Sequence, residues 1–208
     1  MKSYFTSLII IFSSFTLYSQ ETIPFFSNSD KILVSLNNSG SYTSMTVEIE
    51  NKSSVEIKII FPEGGVFINS SSSHQNLAVL FYDDCIVSSG ETKSMTIYTA
   101  CMDPAKQAPS STSDWTLNYD RKLGDLIRGY HENRPLVEMM TGSEHHDTFI
   151  ERHNFLQMCV WVYFNADKQQ ILNFATKYVF DGNSQQAKEF VDVFYPMAVI
   201  FINLYKTF

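Results

Sequence analysis

The densest group of titratable side chains lies in the C-terminal half of the chain. The segment Ser143-Glu-His-His-Asp147 is followed by Glu151 and His153. His146 and His153 are seven residues apart, so on a straight helix they lie two turns from each other, too far to bind one metal ion together. The zinc motif HExxH is also absent. The cluster therefore predicts either a solvated helix start or an acid/His hydrolase site at Glu144–His153, and no metal site.

The chain has three cysteines, Cys85, Cys101 and Cys159. An odd number in an exported protein leaves at least one thiol unpaired. A bridge between Cys85 and Cys101 is possible, although a hairpin with its turn at Ser89-Gly90 would place Cys85 opposite Ser94 instead. Cys159 is expected to be a buried helical residue. No CxxC spacing occurs, so a structural zinc site is not expected.

Two short segments carry a more specific pattern. They are Cys101-Met102-Asp103 and Leu156-Gln157-Met158-Cys159-Val160-Trp161. In the first, a cysteine is followed by an apolar and then a polar residue. In the second, a glutamine between apolar residues is followed by two variable positions, an apolar residue and Trp161. Together these segments resemble the thioester domains of bacterial surface adhesins, in which the cysteine also precedes the glutamine.

The resemblance implies a covalent function for Cys101 and Gln157. In that family the cysteine attacks the glutamine carboxamide, expels ammonia and leaves an internal thioester that captures an amine such as a host lysine. Such a bond needs a dry pocket and hydrogen-bond donors for the oxyanion. Trp161, one turn after Gln157, would shield it. The alternative is that Gln157 only makes hydrogen bonds within a helix and that Trp161 is a core residue.

The elements that would position these residues follow two periods. Met45, Val47 and Ile49 alternate with polar residues, which is the period of a half-buried strand. Short strands separated by turns predict an antiparallel immunoglobulin-like β-sandwich over residues 20–102, without the Cys…Trp…Cys signature of antibody domains. The expected strands are 31–36, 44–50, 55–61, 66–68, 77–82 and 95–100.

The spacing of apolar residues becomes helical after a Pro- and Ser-rich segment. Residues 103–119 are expected to be a linker or loop, and residues 120–208 a small helical domain. The expected helices are 123–130, 144–165, 168–180 and a last one from Ser184, which Pro196 should kink or stop. The sequence thus predicts an α+β protein, with a β-sandwich first and helices second.

Charge and hydropathy limit the possible partners. The formal net charge is −7, which argues against a nucleic-acid-binding protein with a broad basic face. No run of 18 apolar residues occurs, so no transmembrane span is expected. Residues 1–19 contain Lys2 and a short apolar core and are expected to be a signal peptide. We therefore expect a secreted, periplasmic or cell-surface protein.

Three functions are compatible with these features. The first is an exported, non-enzymatic binding or adhesion module for a protein or surface ligand. The second is a covalent adhesin-type domain with a thioester between Cys101 and Gln157. The third is a secreted hydrolase that uses the acids and histidines of Glu144–His153. None of the three calls for a cofactor.

Overall fold

A computed structural model describes residues 20–27, 29–38, 40–81, 85–111, 113–141 and 149–205. It shows nine strands followed by five α-helices and one π-helical turn. The strands are β1 (Glu21–Pro24), β2 (Ile32–Asn37), β3 (Ser44–Asn51), β4 (Ile57–Ile60), β5 (Gly65–Asn69), β6 (Leu77–Phe81), β7 (Cys85–Val87), β8 (Thr92–Cys101) and β9 (Trp115–Tyr119). The helices are α1 (Arg121–Glu132), α2 (Arg134–Thr141), α3 (Phe149–Tyr163), α4 (Lys168–Phe174) and α5 (Ser184–Tyr205), with the π-helical turn Ala175–Val179 after α4.

The strands form two sheets. The larger has the order β2-β3-β8-β6-β5-β9 with every neighbouring pair antiparallel. Its two edge strands, β2 and β9, line one groove, so the sheet curls towards a barrel. The smaller sheet has the order β1-β4-β7, and its β1–β4 pair is parallel. The prediction of an α+β protein is confirmed, whereas the immunoglobulin-like arrangement stays a prediction.

Alternating burial explains why the central strands form where they do. Met45, Val47 and Ile49 of β3 are fully buried, while Thr46 and Glu48 between them are exposed. β8 lies between β3 and β6 and therefore has a paired neighbour on each side. The expected alternation of this strand region is thus observed. The last strand, β9, lies at the end of the segment 103–119, which was expected to be a linker or loop.

The prediction that Cys85 and Ser94 face each other in a hairpin is wrong. Cys85 pairs with Ile59 in the smaller sheet, while β8 belongs to the larger one. The buried side chain of Asn51 holds this crossing in place, because its amide donates to the carbonyls of Val55 and Val87. All three cysteines are buried and free, so the possible bridge between Cys85 and Cys101 is not formed.

α3 packs against β8 of the larger sheet, and the helices pack against each other. α3 is buried on nearly all sides, because every residue from 155 to 161 is buried, which is typical of a central helix. Phe155 of α3 packs on Phe194 and Phe201 of α5, with ring centroids 6.2 Å apart in both pairs. α5 runs through Pro196 without ending there. Among the described helices, none combines the length and the apolarity needed to cross a membrane.

Two glycines allow α1 to approach the turn between β4 and β5. Gly64 has φ +93°, and a β-carbon on it would lie 2.3 Å from the carbonyl oxygen of Asp120. A β-carbon on Gly124 would lie 2.4 Å from the carbonyl oxygen of Glu63. Asp120 is also the N-cap of α1, with its carboxylate accepting from the backbone of Lys122 and Leu123. The contact between Asp120 and Gly64 therefore fixes the start of α1 against the turn between β4 and β5.

We expect Gly64→Ala to destabilise the protein far more than Gly90→Ala. Both glycines have positive φ, so both substitutions carry a left-handed backbone cost of about 1–2 kcal/mol. Only Gly64 adds a clash with backbone, since no described atom lies within 4 Å of a β-carbon on Gly90. Denaturant unfolding should show an extra loss of about 2 kcal/mol for Gly64→Ala. Equal losses would mean that the approach of α1 is not tight.

Candidate functional site

The residues singled out by the adhesin resemblance meet where β8 ends against α3. Cys101 is the last residue of β8 and is fully buried. Gln157 lies on α3 and is only 4% exposed. The backbone N–H of Cys101 donates to Oε1 of Gln157 at 2.8 Å, and Nε2 of Gln157 donates to the carbonyl oxygen of Cys101 at 2.8 Å. The two residues therefore form a reciprocal, buried hydrogen-bonded pair.

Gln157 takes the place of a missing strand. On the side of β8 that faces β3, the backbone N–H of Thr99 donates to the carbonyl of Thr43, just before β3 starts at Ser44. In an antiparallel strand every second residue directs its N–H and carbonyl to the same neighbour, so those of Cys101 also point to the side of β3. β3 does not reach that far, and the carboxamide of Gln157, which donates through Nε2 and accepts through Oε1, replaces its peptide group.

His153 makes the matching contact one helical turn earlier. Its Nε2 lies 2.7 Å from the carbonyl oxygen of Thr99, to which it donates. Residues four apart on a helix are separated by about 6 Å along its axis. Residues two apart on a strand are separated by about 6.7 Å. His153 and Gln157 can therefore bond to Thr99 and Cys101 simultaneously, which holds α3 along the end of β8.

Burial sets the protonation of both ionisable groups at this contact. It raises the pKa of the Cys101 thiol well above its ordinary value. It also lowers the pKa of His153, although the hydrogen bond to Thr99 works in the opposite direction. The folded site thus favours the neutral thiol of Cys101 and the neutral imidazole of His153.

A group of aromatic side chains packs beside this part of α3. Trp161, one turn after Gln157 on α3, is 1% exposed and packs edge-on against Phe174 at 5.4 Å between ring centroids. Tyr42 packs edge-on against the same ring at 5.6 Å, and its hydroxyl donates to the carbonyl of Tyr178 at 3.2 Å. Burial and the nearby Cys101 raise the pKa of Tyr42. Tyr42 is half-buried, which makes it the member of this aromatic group nearest to solvent.

The chain that follows Cys101 is held by a second buried glutamine. Oε1 of Gln75 accepts from the backbone N–H of Asp103 at 3.3 Å, and its Nε2 donates to the carbonyl of Lys106 at 3.3 Å. The carboxylate of Asp103 accepts from the backbone of Ala105 at 2.9 Å. Asp103, the polar third residue of the first segment, thus shapes the turn that leaves β8.

Of the candidates found in the sequence, the structure brings Cys101 and Gln157 into contact, and Trp161 lies one turn further along α3. The acidic and histidine residues at 144–147 lie outside the described residues. Glu151 lies on α3, and His153 bonds to the backbone of Thr99. No group of three or more His, Cys, Asp and Glu side chains that could hold a metal occurs within the described ranges. Sequence reasoning missed the roles of Tyr42 and Gln75, because neither lies in a motif.

We expect Gln157→Met to lower the free energy of unfolding by about 2–4 kcal/mol. Methionine has nearly the same length, but it leaves a buried N–H and a buried carbonyl of Cys101 without partners. The control is Gln169→Met, because Gln169 is exposed on α4 and bonds only to Asn173 among the described residues. Denaturant unfolding compares the two. A loss at Gln157 no larger than at Gln169 would contradict the buried pair.

The stability of the protein should fall on acidification because of His153. Its folded pKa lies below the ordinary 6.5, so below about pH 6.5 the unfolded chain binds more protons than the folded one. The folded state is therefore destabilised as pH falls from 7 towards the folded pKa. The variant His153→Gln should lose less over this range than the parent protein, and His74→Gln, which changes a histidine outside the contact between α3 and β8, is the control. Unfolding at pH 7, 6 and 5 measures this.

The chain was compared with protein families, curated proteins and solved structures. No protein-family model, no curated protein and no solved structure matches the chain.

Proposed function

We propose that this protein captures amines covalently through an internal thioester between Cys101 and Gln157. The observation that carries the proposal is the reciprocal hydrogen-bonded pair between the Gln157 carboxamide and the Cys101 backbone. The pair holds the amide carbon of Gln157 beside the Cα of Cys101, and the thiol is attached to that Cα through a single Cβ. The side chain of Cys101 and the carboxamide of Gln157 thus belong to one buried contact, which favours a reaction between them.

The bond forms without any other reactant. The sulfur of Cys101 adds to the amide carbon of Gln157, the carbon–nitrogen bond breaks, and the nitrogen leaves as ammonia with the thiol proton. No net charge is left in the buried site. Because burial raises the pKa of Cys101, the thiol gives up its proton to the leaving nitrogen as the sulfur adds, rather than before it. The N–H of Cys101 lies 2.8 Å from Oε1, within the range of an oxyanion-hole donor, and stabilises the charge that develops on that oxygen.

The surroundings suit a bond that must survive in water. Cys101 is fully buried, and Trp161 and Phe174 are at most 2% exposed, so bulk water has little access to the thioester. An amine that displaces the sulfur leaves a stable amide on Gln157 and returns the thiol of Cys101. We infer that the amine approaches past Tyr42, which is only half-buried, and the π-helical turn. Such turns are common at functional sites.

The wider proposal is an exported adhesion domain. The export signal proposed for residues 1–19 lies outside the described residues. A surface protein that reacts with lysine amines of its ligand would become attached irreversibly. The second candidate, a non-covalent binding or adhesion module, keeps the same fold and uses Gln157 only as the hydrogen-bonding group that joins α3 to β8.

Intact-mass measurement separates the two candidates. The exported, mature protein should be about 17 Da lighter than its sequence, because forming the thioester releases ammonia. Methylamine should then add about 31 Da at Gln157, located by peptide mapping, and expose one thiol at Cys101. Cys101→Ala should abolish both changes. Cys85→Ala and Cys159→Ala, which also remove a buried thiol, should keep them.

One side reaction has the same mass. Cyclisation of an N-terminal Gln20 also releases ammonia, so the measurement is repeated with Gln20→Ser, which cannot cyclise. A loss that disappears in Gln20→Ser, or a protein with no methylamine adduct at Gln157, would overturn the thioester. The non-covalent binding module would then be the function that is left.

A further inference from the structure

A groove separates the two edge strands of the larger sheet. It is lined by Val34 and Leu36 of β2, by Trp115 and Leu117 of β9, and by the adjoining residues 113 and 114, and its volume is about 360 Å³. Five antiparallel pairings separate β2 from β9 along the sheet, so the two strands run in opposite directions on either side of this groove. The groove is the open seam of a sheet that has curled almost into a barrel.

The pairing of β2 leaves backbone groups directed into this seam. The N–H of Lys52 donates to the carbonyl of Lys31 at 2.8 Å, which fixes the alternation of the β2–β3 ladder. Leu33 and Ser35 consequently bond towards β3. The N–H and carbonyl groups of Val34, like those of Leu36, point the other way, and β2 has no second neighbour among the described strands.

β9 presents the same arrangement from the other side. The backbone N–H of Asp120 donates to the carbonyl of Gly64 at 2.8 Å, and the backbone N–H of Ser70 donates to the carbonyl of Asp114 at 2.9 Å. The even-numbered residues of β9 therefore direct their backbone groups to β5. The backbone groups of Trp115 and Leu117 therefore face the seam. Each of the four apolar residues thus lines the groove with its side chain and directs into the seam backbone groups that no described strand pairs with.

These edges lack the features that normally protect an edge strand. Neither β2 nor β9 contains a charged residue or a proline. The edges of the smaller sheet differ, since β1 carries Glu21 and Pro24 and β7 is only three residues long. The contrast within one protein indicates that the seam is kept available for pairing.

We propose that the seam between β2 and β9 binds an extended peptide segment of another protein as an added β-strand. The segment pairs with the backbone of Val34 and Leu36 on one side and of Trp115 and Leu117 on the other. Its alternate residues are apolar, because the groove beneath is lined by these four side chains. Asp114 is the one charged residue among those that line the groove, and the protein as a whole is acidic, so the segment carries a basic residue at that end.

The test uses a fluorescent peptide, Lys-Val-Thr-Val-Thr-Val with blocked ends. We expect it to bind the full protein with a Kd below about 1 mM and to slow amide exchange at Val34, Leu36, Trp115 and Leu117 at least tenfold. A peptide with N-methyl groups on alternate residues keeps the side chains and loses the backbone donors, so it should not bind. Binding by the N-methylated peptide would show apolar adhesion only and would overturn the proposal.

Leu117→Pro removes a backbone donor that faces the seam and replaces the leucine side chain that lines the groove. An edge strand tolerates proline at such a position, and the change should weaken binding at least tenfold. If that variant does not fold, Leu36→Lys, which puts a charge into the groove, takes its place. Thr116→Val is the control, since Thr116 faces solvent and keeps its N–H. Two further results would contradict the proposal: seam amides that are already protected in the free monomer, or protection that rises with protein concentration without peptide.

Discussion

The carboxamide of Gln157 bonded to both backbone groups of Cys101 is the interaction on which the rest of the site depends. A buried N–H and a buried carbonyl need partners, and β3 ends too early to provide them. The carboxamide of Gln157 on α3 satisfies both groups, because its Oε1 accepts from the N–H and its Nε2 donates to the carbonyl. The helix must then lie along the end of β8, and His153 fixes its direction by bonding to Thr99 one turn away.

Burial has two consequences at this site. It disfavours the thiolate of Cys101, so the sulfur is unreactive towards chance reagents. It also removes the water that would hydrolyse a thioester and strengthens the hydrogen bond from the Cys101 N–H to the oxygen of Gln157. The same enclosure that supports a stable helix–sheet contact thus supports a long-lived acyl bond. The half-buried Tyr42 and the adjacent π-helical turn are where that enclosure is thinnest.

The larger sheet has two structurally distinct regions. At the end of β8, in the middle of the strand order, α3 packs on the sheet and the Gln157 carboxamide bonds to both backbone groups of Cys101. The edge strands β2 and β9 have backbone groups that no described strand pairs with, and they line an apolar groove. A covalent site at the centre and a strand-binding seam at the edge would give one domain two separate ways of holding a protein ligand.

The sequence alone indicated the order of strands before helices and the alternating burial of β3. These are local properties, because period and turn residues depend on neighbours in the chain. A resemblance suggested the pairing of the Cys101 and Gln157 segments, and the structure brings these two residues into contact although they are 56 residues apart. The tertiary structure alone decided that Cys85 and Cys101 lie in different sheets, that Trp115–Tyr119 joins the larger sheet, and that Gln75 and Tyr42 border the site. These depend on which strands become neighbours and where each one stops. That outcome is set by packing between residues far apart in the chain, which no local pattern records.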